Sequence, residues 1–142
     1  MKVLIITLFL LSNLTLFSQS DLFIGDYYRT LGNEENHSIE YTLTLHQDGT
    51  FIFHSYSNNK LGMPPEVHKY GKGKWIVKGK VITFLTDEEK DFDEKYTLNF
   101  NNSRARFVTK HPRDKTDRII KTKLQFFDSE IPWIKTIDIF KI

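Results

Sequence analysis

Tyr41-Thr42-Leu43-Thr44-Leu45-His46-Gln47-Asp48-Gly49-Thr50-Phe51-Ile52-Phe53 is the stretch that decides the fold. Apolar and polar residues alternate on both sides of Asp48-Gly49, which is the pattern of two strands with one dry face. A two-residue loop of Asp48 and Gly49 sets Leu45 against Ile52 and Leu43 against His54, sending Phe51 and Phe53 to the wrong face. A three-residue loop, Gln47 to Gly49, restores agreement: Leu45 meets Phe51 and Leu43 meets Phe53. Gly49 then takes the positive φ that a Cβ resists. Thr44, His46, Ile52 and His54 face outward.

Working outward from this hairpin, short alternating segments recur between turn residues, and no helical period is sustained. Strands are expected near Phe23–Thr30, Ile39–His46, Thr50–Ser57, Val67–Val77, Lys80–Thr86, Lys95–Phe100, Arg104–Lys110, Arg118–Phe127 and Ile134–Phe140. Lys78-Gly79 and Asn101-Asn102 read as tight hairpin turns. The first sets Trp75 against Ile82, and the second sets Tyr96 against Phe107 and Leu98 against Ala105. Leu43, Leu45, Phe51, Phe53, Trp75, Tyr96 and Phe107 thus share one buried side. The fold class is all-β: an antiparallel up-and-down meander of about eight to nine strands, whose edges are hidden by closure into a barrel. Around that many strands, the interior is either filled by side chains or holds one small molecule. Bulky inward residues alternate with the smaller Gly71, Gly73, Ser55, Ala105 and Thr122.

Lys2, the apolar run Val3 to Phe17 and the triplet Ser18-Gln19-Ser20 form the pattern of an export signal. The competing reading, a membrane anchor, needs about 20 apolar residues, more than this run provides. Residues 1–20 are read as a signal peptide and residues 21–142 as a single barrel domain, with no transmembrane segment after signal removal. Export directs the chain to a periplasmic or secreted location. The chain has no cysteine, so neither disulfides nor thiol chemistry are available.

With 20 Lys and Arg against 18 Asp and Glu, the whole chain is no polyanion magnet. The charges are nevertheless segregated: Asp87 to Glu94 is acidic, whereas Arg104 to Lys123 is basic.

Gly25-Asp26-Tyr27, Asp48-Gly49-Thr50-Phe51 and Gly73-Lys74-Trp75 together resemble the small exported lipocalin-like, calycin-type domains, over about residues 22 to 127. In those domains a Gly-x-aromatic element opens the first strand, and later hairpins carry Asp-Gly-Thr-Phe and Gly-x-Trp. This chain departs from them by having Tyr27 in place of tryptophan, no disulfide, and no helix after the barrel. The resemblance implies a barrel open at one end and a lipophilic or aromatic ligand, with no catalytic residues.

The expected function is therefore non-enzymatic binding of a small apolar or amphipathic ligand inside the barrel. Candidate ligand contacts are Tyr27, Arg29, Tyr41, Phe53, Trp75 and Tyr96. Strand parity turns Arg29 inward, where its guanidinium suits a carboxylate, unless the strand ends near Tyr28 and leaves it in water. The alternative is an envelope or extracellular interaction domain. Arg104, Arg106, Lys110, Lys121 and Lys123 would form its cationic outer face, opposite an anionic envelope component or an acidic protein. Export makes nucleic acid an unsuitable partner.

No metal and no cofactor are expected. His46 and His54 share a face but lie roughly 14 Å apart, and His37, His68 and His111 fall in or near connections. The Asp91-Phe92-Asp93-Glu94 run lacks the glycine and regular oxygen spacing of a calcium loop. No nucleophile motif or phosphate-cradling loop is present, so the chain is read as having no catalytic residues.

Overall fold

The computed structural model describes residues 21–142. The signal-peptide reading of residues 1–20 lies outside the described residues. Eight strands follow one another: β1 (Gly25–Asn33), β2 (His37–Leu45), β3 (Thr50–Asn59), β4 (Glu66–Lys78), β5 (Val81–Leu85), β6 (Arg104–Val108), β7 (Lys123–Asp128) and β8 (Asp138–Lys141). Each pairs antiparallel with the next, and β8 returns to β1, closing an up-and-down barrel.

The β2–β3 hairpin has the register that alternation requires, with Leu45 opposite Phe51 and Leu43 opposite Phe53. His46 N–H donates to the Thr50 carbonyl at 2.9 Å, closing a loop of Gln47, Asp48 and Gly49, with Gly49 at φ 86°. Asp48 Oδ1 accepts from both the Thr50 amide (2.9 Å) and the Thr50 hydroxyl (2.6 Å), which stiffens the loop.

The β4–β5 turn is displaced from the expected one. It is Gly79-Lys80, with Lys78 opposite Val81 and Trp75 opposite Phe84 rather than Ile82. Gly79 alone takes positive φ, 63°, as the first position of a II′ turn demands. Because the slip moves β5 by two positions, Ile82 and Phe84 both stay buried.

Lys95–Phe100 forms no ladder strand, contrary to its alternating pattern. β5 pairs directly with β6, Ile82 opposite Ala105, so the expected meetings of Tyr96 with Phe107 and Leu98 with Ala105 do not occur. The segment runs along the edge of β4 that β5 leaves open, bridging Tyr96 to Tyr70, and the amides of Thr97 and Leu98 both donate to the Tyr70 carbonyl at 3.0 Å. It then sends Phe100 into the core. The Phe100 ring lies over Gly71, where a Cβ would come within 2.7 Å of two ring carbons. Full burial of such a ring stabilises the fold by about 1.5–3 kcal/mol, more than a two-residue edge pairing contributes. The Asn101-Asn102 turn does exist, with Asn102 at φ 62°, but its amide donates to Phe84.

The later strands are shorter than the sequence suggests. β7 starts at Lys123, and Ile119 and Ile120 before it are exposed. β8 starts at Asp138; before it, single i→i+3 turns bury Ile131 and Ile134.

The barrel centre is packed, not hollow. Phe51 meets Phe84 at 4.9 Å and Phe100 at 5.4 Å, Phe53 meets Phe100 at 4.9 Å, and Phe84 meets Phe126 at 5.4 Å. The space beside Gly71 is taken by Phe100, and that beside Gly73 by Phe51 and the Leu85 carbonyl. Close packing of this kind leaves room for a ligand only toward an end.

Candidate functional site

The inward residues of β2, β3 and β4 continue past the aromatic plug toward one end of the barrel. Ile39 and Tyr41 lie on the same pleat face as the buried Leu43, Ser55 and Ser57 on that of Phe53, and Val67 and Lys69 on that of Gly71. Together with Trp133, they line a cavity of about 300 Å³ at the barrel mouth. Trp133 arrives from the turns between β7 and β8. Its ring stacks on Tyr41 at 5.6 Å with 16° between planes and lies 6.2 Å from Phe53. Tyr41 in turn stacks on Phe53 at 6.0 Å, so the floor of the mouth is a continuous aromatic surface.

Polarity enters at the rim. Lys69 Nζ sits 5.7 Å from the Trp133 ring centre, a cation–π contact, and takes part in none of the ion pairs among the described residues. The hydroxyls of Ser55 and Ser57 border the same space, and Ser57 Oγ bonds His37 Nε2 at 3.0 Å. Burial pushes the Tyr41 phenol above its usual range, so it stays neutral at the cavity wall.

The six residues expected to contact a ligand are not gathered in one place. Tyr41 lines the mouth, and Phe53 supports it from beneath. Tyr27 and Trp75 belong to the packed core. Tyr27 donates to the Phe23 carbonyl at 2.7 Å, its phenol raised by burial, while Trp75 Nε1 donates to the His46 carbonyl at 3.1 Å. The Tyr96 ring lies on the outer side of the barrel, edge-on to Tyr70 at 5.8 Å, because its segment joins β4 only by a single parallel bridge at Tyr70.

Arg29 follows neither expectation fully. β1 pairs with β8 only at Tyr27–Lys141 and Tyr28–Phe140, so Arg29 is the first residue past the seam. Its guanidinium reaches through to the outward Phe140 ring, 5.3 Å from the ring centre. It faces a shallow lateral groove rather than the mouth.

Two of the five cations expected on the outer face are paired with acids, and two more are held by neutral groups. Arg104 pairs with Asp128 at 2.7 Å and Lys123 with Asp138 at 2.8 Å. Lys110 donates to the Thr116 carbonyl at 2.6 Å, and Arg106 lies against the Phe127 ring. Of the five expected cations, only Lys121 is exposed and outside these contacts. In the acidic loop, Asp87 and Asp93 accept backbone N–H bonds from Glu89, Lys95 and Tyr96. The Tyr96 and Lys95 amides hold the Asp93 carboxyl below the usual range.

His68 is not in a connection but in β4, diagonal to His54 on β3. His54 Nε2 and His68 Nδ1 lie 2.9 Å apart with ring planes within 3°. Among the described residues no three potential ligands converge on a metal position, and no helix is long and apolar enough to cross a membrane.

Sequence reasoning missed Trp133 and the histidine pair. Ile131, Ile134 and Ile137 recur every third residue, a turn-like period that places Trp133 on the barrel-facing segment. No family model, curated protein or solved structure matches this chain.

Proposed function

We propose that the protein is an exported, non-enzymatic binding protein of lipocalin-like kind that holds a small amphipathic molecule at the barrel mouth. The mouth cavity carries this reading: aromatic rings and aliphatic side chains surround a concave space with two hydroxyls and one ammonium at its rim, the composition of a small-molecule site. At about 300 Å³ it lies at the lower limit of such pockets, so the ligand is smaller than a fatty acyl chain folded inside a hollow barrel. A planar or short aliphatic body would rest on Tyr41 and Trp133, with an anionic or polar end near Lys69. The Ser57–His37 hydrogen bond at the rim is read as a polar contact for the ligand rather than as a catalytic pair. Export to the periplasm or medium fits the leader-like residues 1–20.

The test uses protein recovered from its export compartment without refolding. Native mass spectrometry should show a retained small molecule. Tryptophan emission should shift when aromatic and short aliphatic carboxylates are titrated in. Trp133→Phe, which leaves Trp75 as reporter, should abolish that shift. No retained mass and a flat titration across the series would sink the reading.

A further inference from the structure

The end of the barrel opposite the mouth carries features the ligand site does not use. Ile119 is 91 % exposed, Ile120 37 %, Ile142 80 % and Leu22 63 %. They belong to one end: Lys141 N–H donates to the Thr122 carbonyl at 2.9 Å, Lys141 Nζ to the Leu22 carbonyl at 2.8 Å, and Ile142 N–H to the Asp26 carbonyl at 3.0 Å. Between Thr109 and Thr122 the chain holds five Lys or Arg against two Asp. One of those acids, Asp114, is occupied by Arg118 at 2.8 Å.

Beside this apolar tip runs the lateral groove, about 730 Å³, lined by Arg29, Lys121, Phe140, Ile142 and the hydroxyl residues Tyr28 and Thr30. None of the residues lining it is acidic. Neither Arg29 nor Lys121 takes part in an ion pair among the described residues. Isolated exposed apolar residues need no explanation. Adjacent isoleucines flanked by Arg118 and Lys121, next to a groove without acids, combine an inserting tip with anion-seeking walls.

We propose that this end docks on an anionic phospholipid bilayer, with Ile119 and Ile120 entering the headgroup boundary and Arg29 and Lys121 receiving a lipid phosphate in the groove. Charge complementarity selects anionic lipid over neutral lipid. The aliphatic tip, which offers no ring to stack on a sugar, selects a bilayer over a polysaccharide. Docked this way, the mouth points away from the membrane. The inference goes beyond the ligand-binding reading and stands or falls separately.

Protein recovered from its export compartment would be sedimented with vesicles of mixed phosphatidylglycerol and phosphatidylcholine, and with phosphatidylcholine alone. Pelleting is expected only with the anionic vesicles, and weaker in high salt. Lys121→Glu should weaken it at least about fivefold, from about 1 kcal/mol per cation at an anionic surface. Ile119→Ser with Ile120→Ser should remove it while leaving the melting temperature and tryptophan emission unchanged. Equal pelleting with neutral vesicles, no pelleting, retention in both variants, or capture by soluble dextran sulfate but not by vesicles would each overturn the proposal.

Discussion

Gly71 and Phe100 share a single volume at the barrel centre: the aromatic ring occupies the space that any side chain at position 71 would need, within 2.7 Å of a Cβ. The plug that closes the interior below the mouth depends on this absence of atoms. Gly71→Ala should therefore destabilise the fold by about 1–3 kcal/mol, the range for overpacking a filled core. In a Phe100→Leu background, itself less stable, the added methyl should do little further harm. Urea denaturation of the four proteins of this cycle measures the coupling, and additive effects would show that ring and glycine are not in contact.

Gly49 sits at φ 86° with nothing within 4 Å of a Cβ, so substitution there strains the backbone without a clash. Gly49→Ala should cost about 1–2 kcal/mol, and Gly49→Asn less, since asparagine tolerates the left-handed region. The order Gly, Asn, Ala in denaturation midpoint is the expected result. Equal midpoints would remove the three-residue turn from the account.

The surroundings of His54 should make the fold sensitive to mild acid. Burial, then the His68 charge, then Lys95 depress the His54 pKa, while Glu40 pulls the other way; Tyr70 stacks on its ring at 4.4 Å. A depressed folded value means that the unfolded chain binds the proton first. Stability should fall as pH drops below about 6.5, the ordinary histidine value, and level off below the folded value. Chemical denaturation between pH 7.5 and 5 should show this slope in the wild type and a shallower one in His54→Gln. Parallel slopes would exclude the pair as its source.

Strands β2, β3 and β4 were legible because each buries one face only, so alternation and a glycine at φ 86° leave one register. Parity also survived the misplaced β4–β5 turn, because a slip of two positions changes partners without changing faces. The segment from Lys95 to Phe100 was misread because Tyr96, Leu98 and Phe100 alternate as a strand would. What decided its path was a gap above Gly71, and gaps are three-dimensional. Arg118 to Thr122 was read as strand by carrying the parity of Leu124 back to Thr122 and Ile120, yet β7 begins only at Lys123, where β8 pairs with it. Of the mouth, Tyr41 was found by parity. Lys69 and Ser55 follow from the same rule once β4 is in place, whereas Trp133 enters from a turn segment that period-two reading passes over.

The seam of Tyr27 with Lys141 and Tyr28 with Phe140 joins residues more than a hundred positions apart, whereas every other ladder joins chain neighbours. Zipping can therefore proceed hairpin by hairpin at small entropic expense, and the buttonhole is reached only when the whole ribbon has curled. Until it is fastened, the row of phenylalanines faces water along a flat sheet with two bare edges. Self-association is then a hazard of the newborn chain rather than of the finished cylinder.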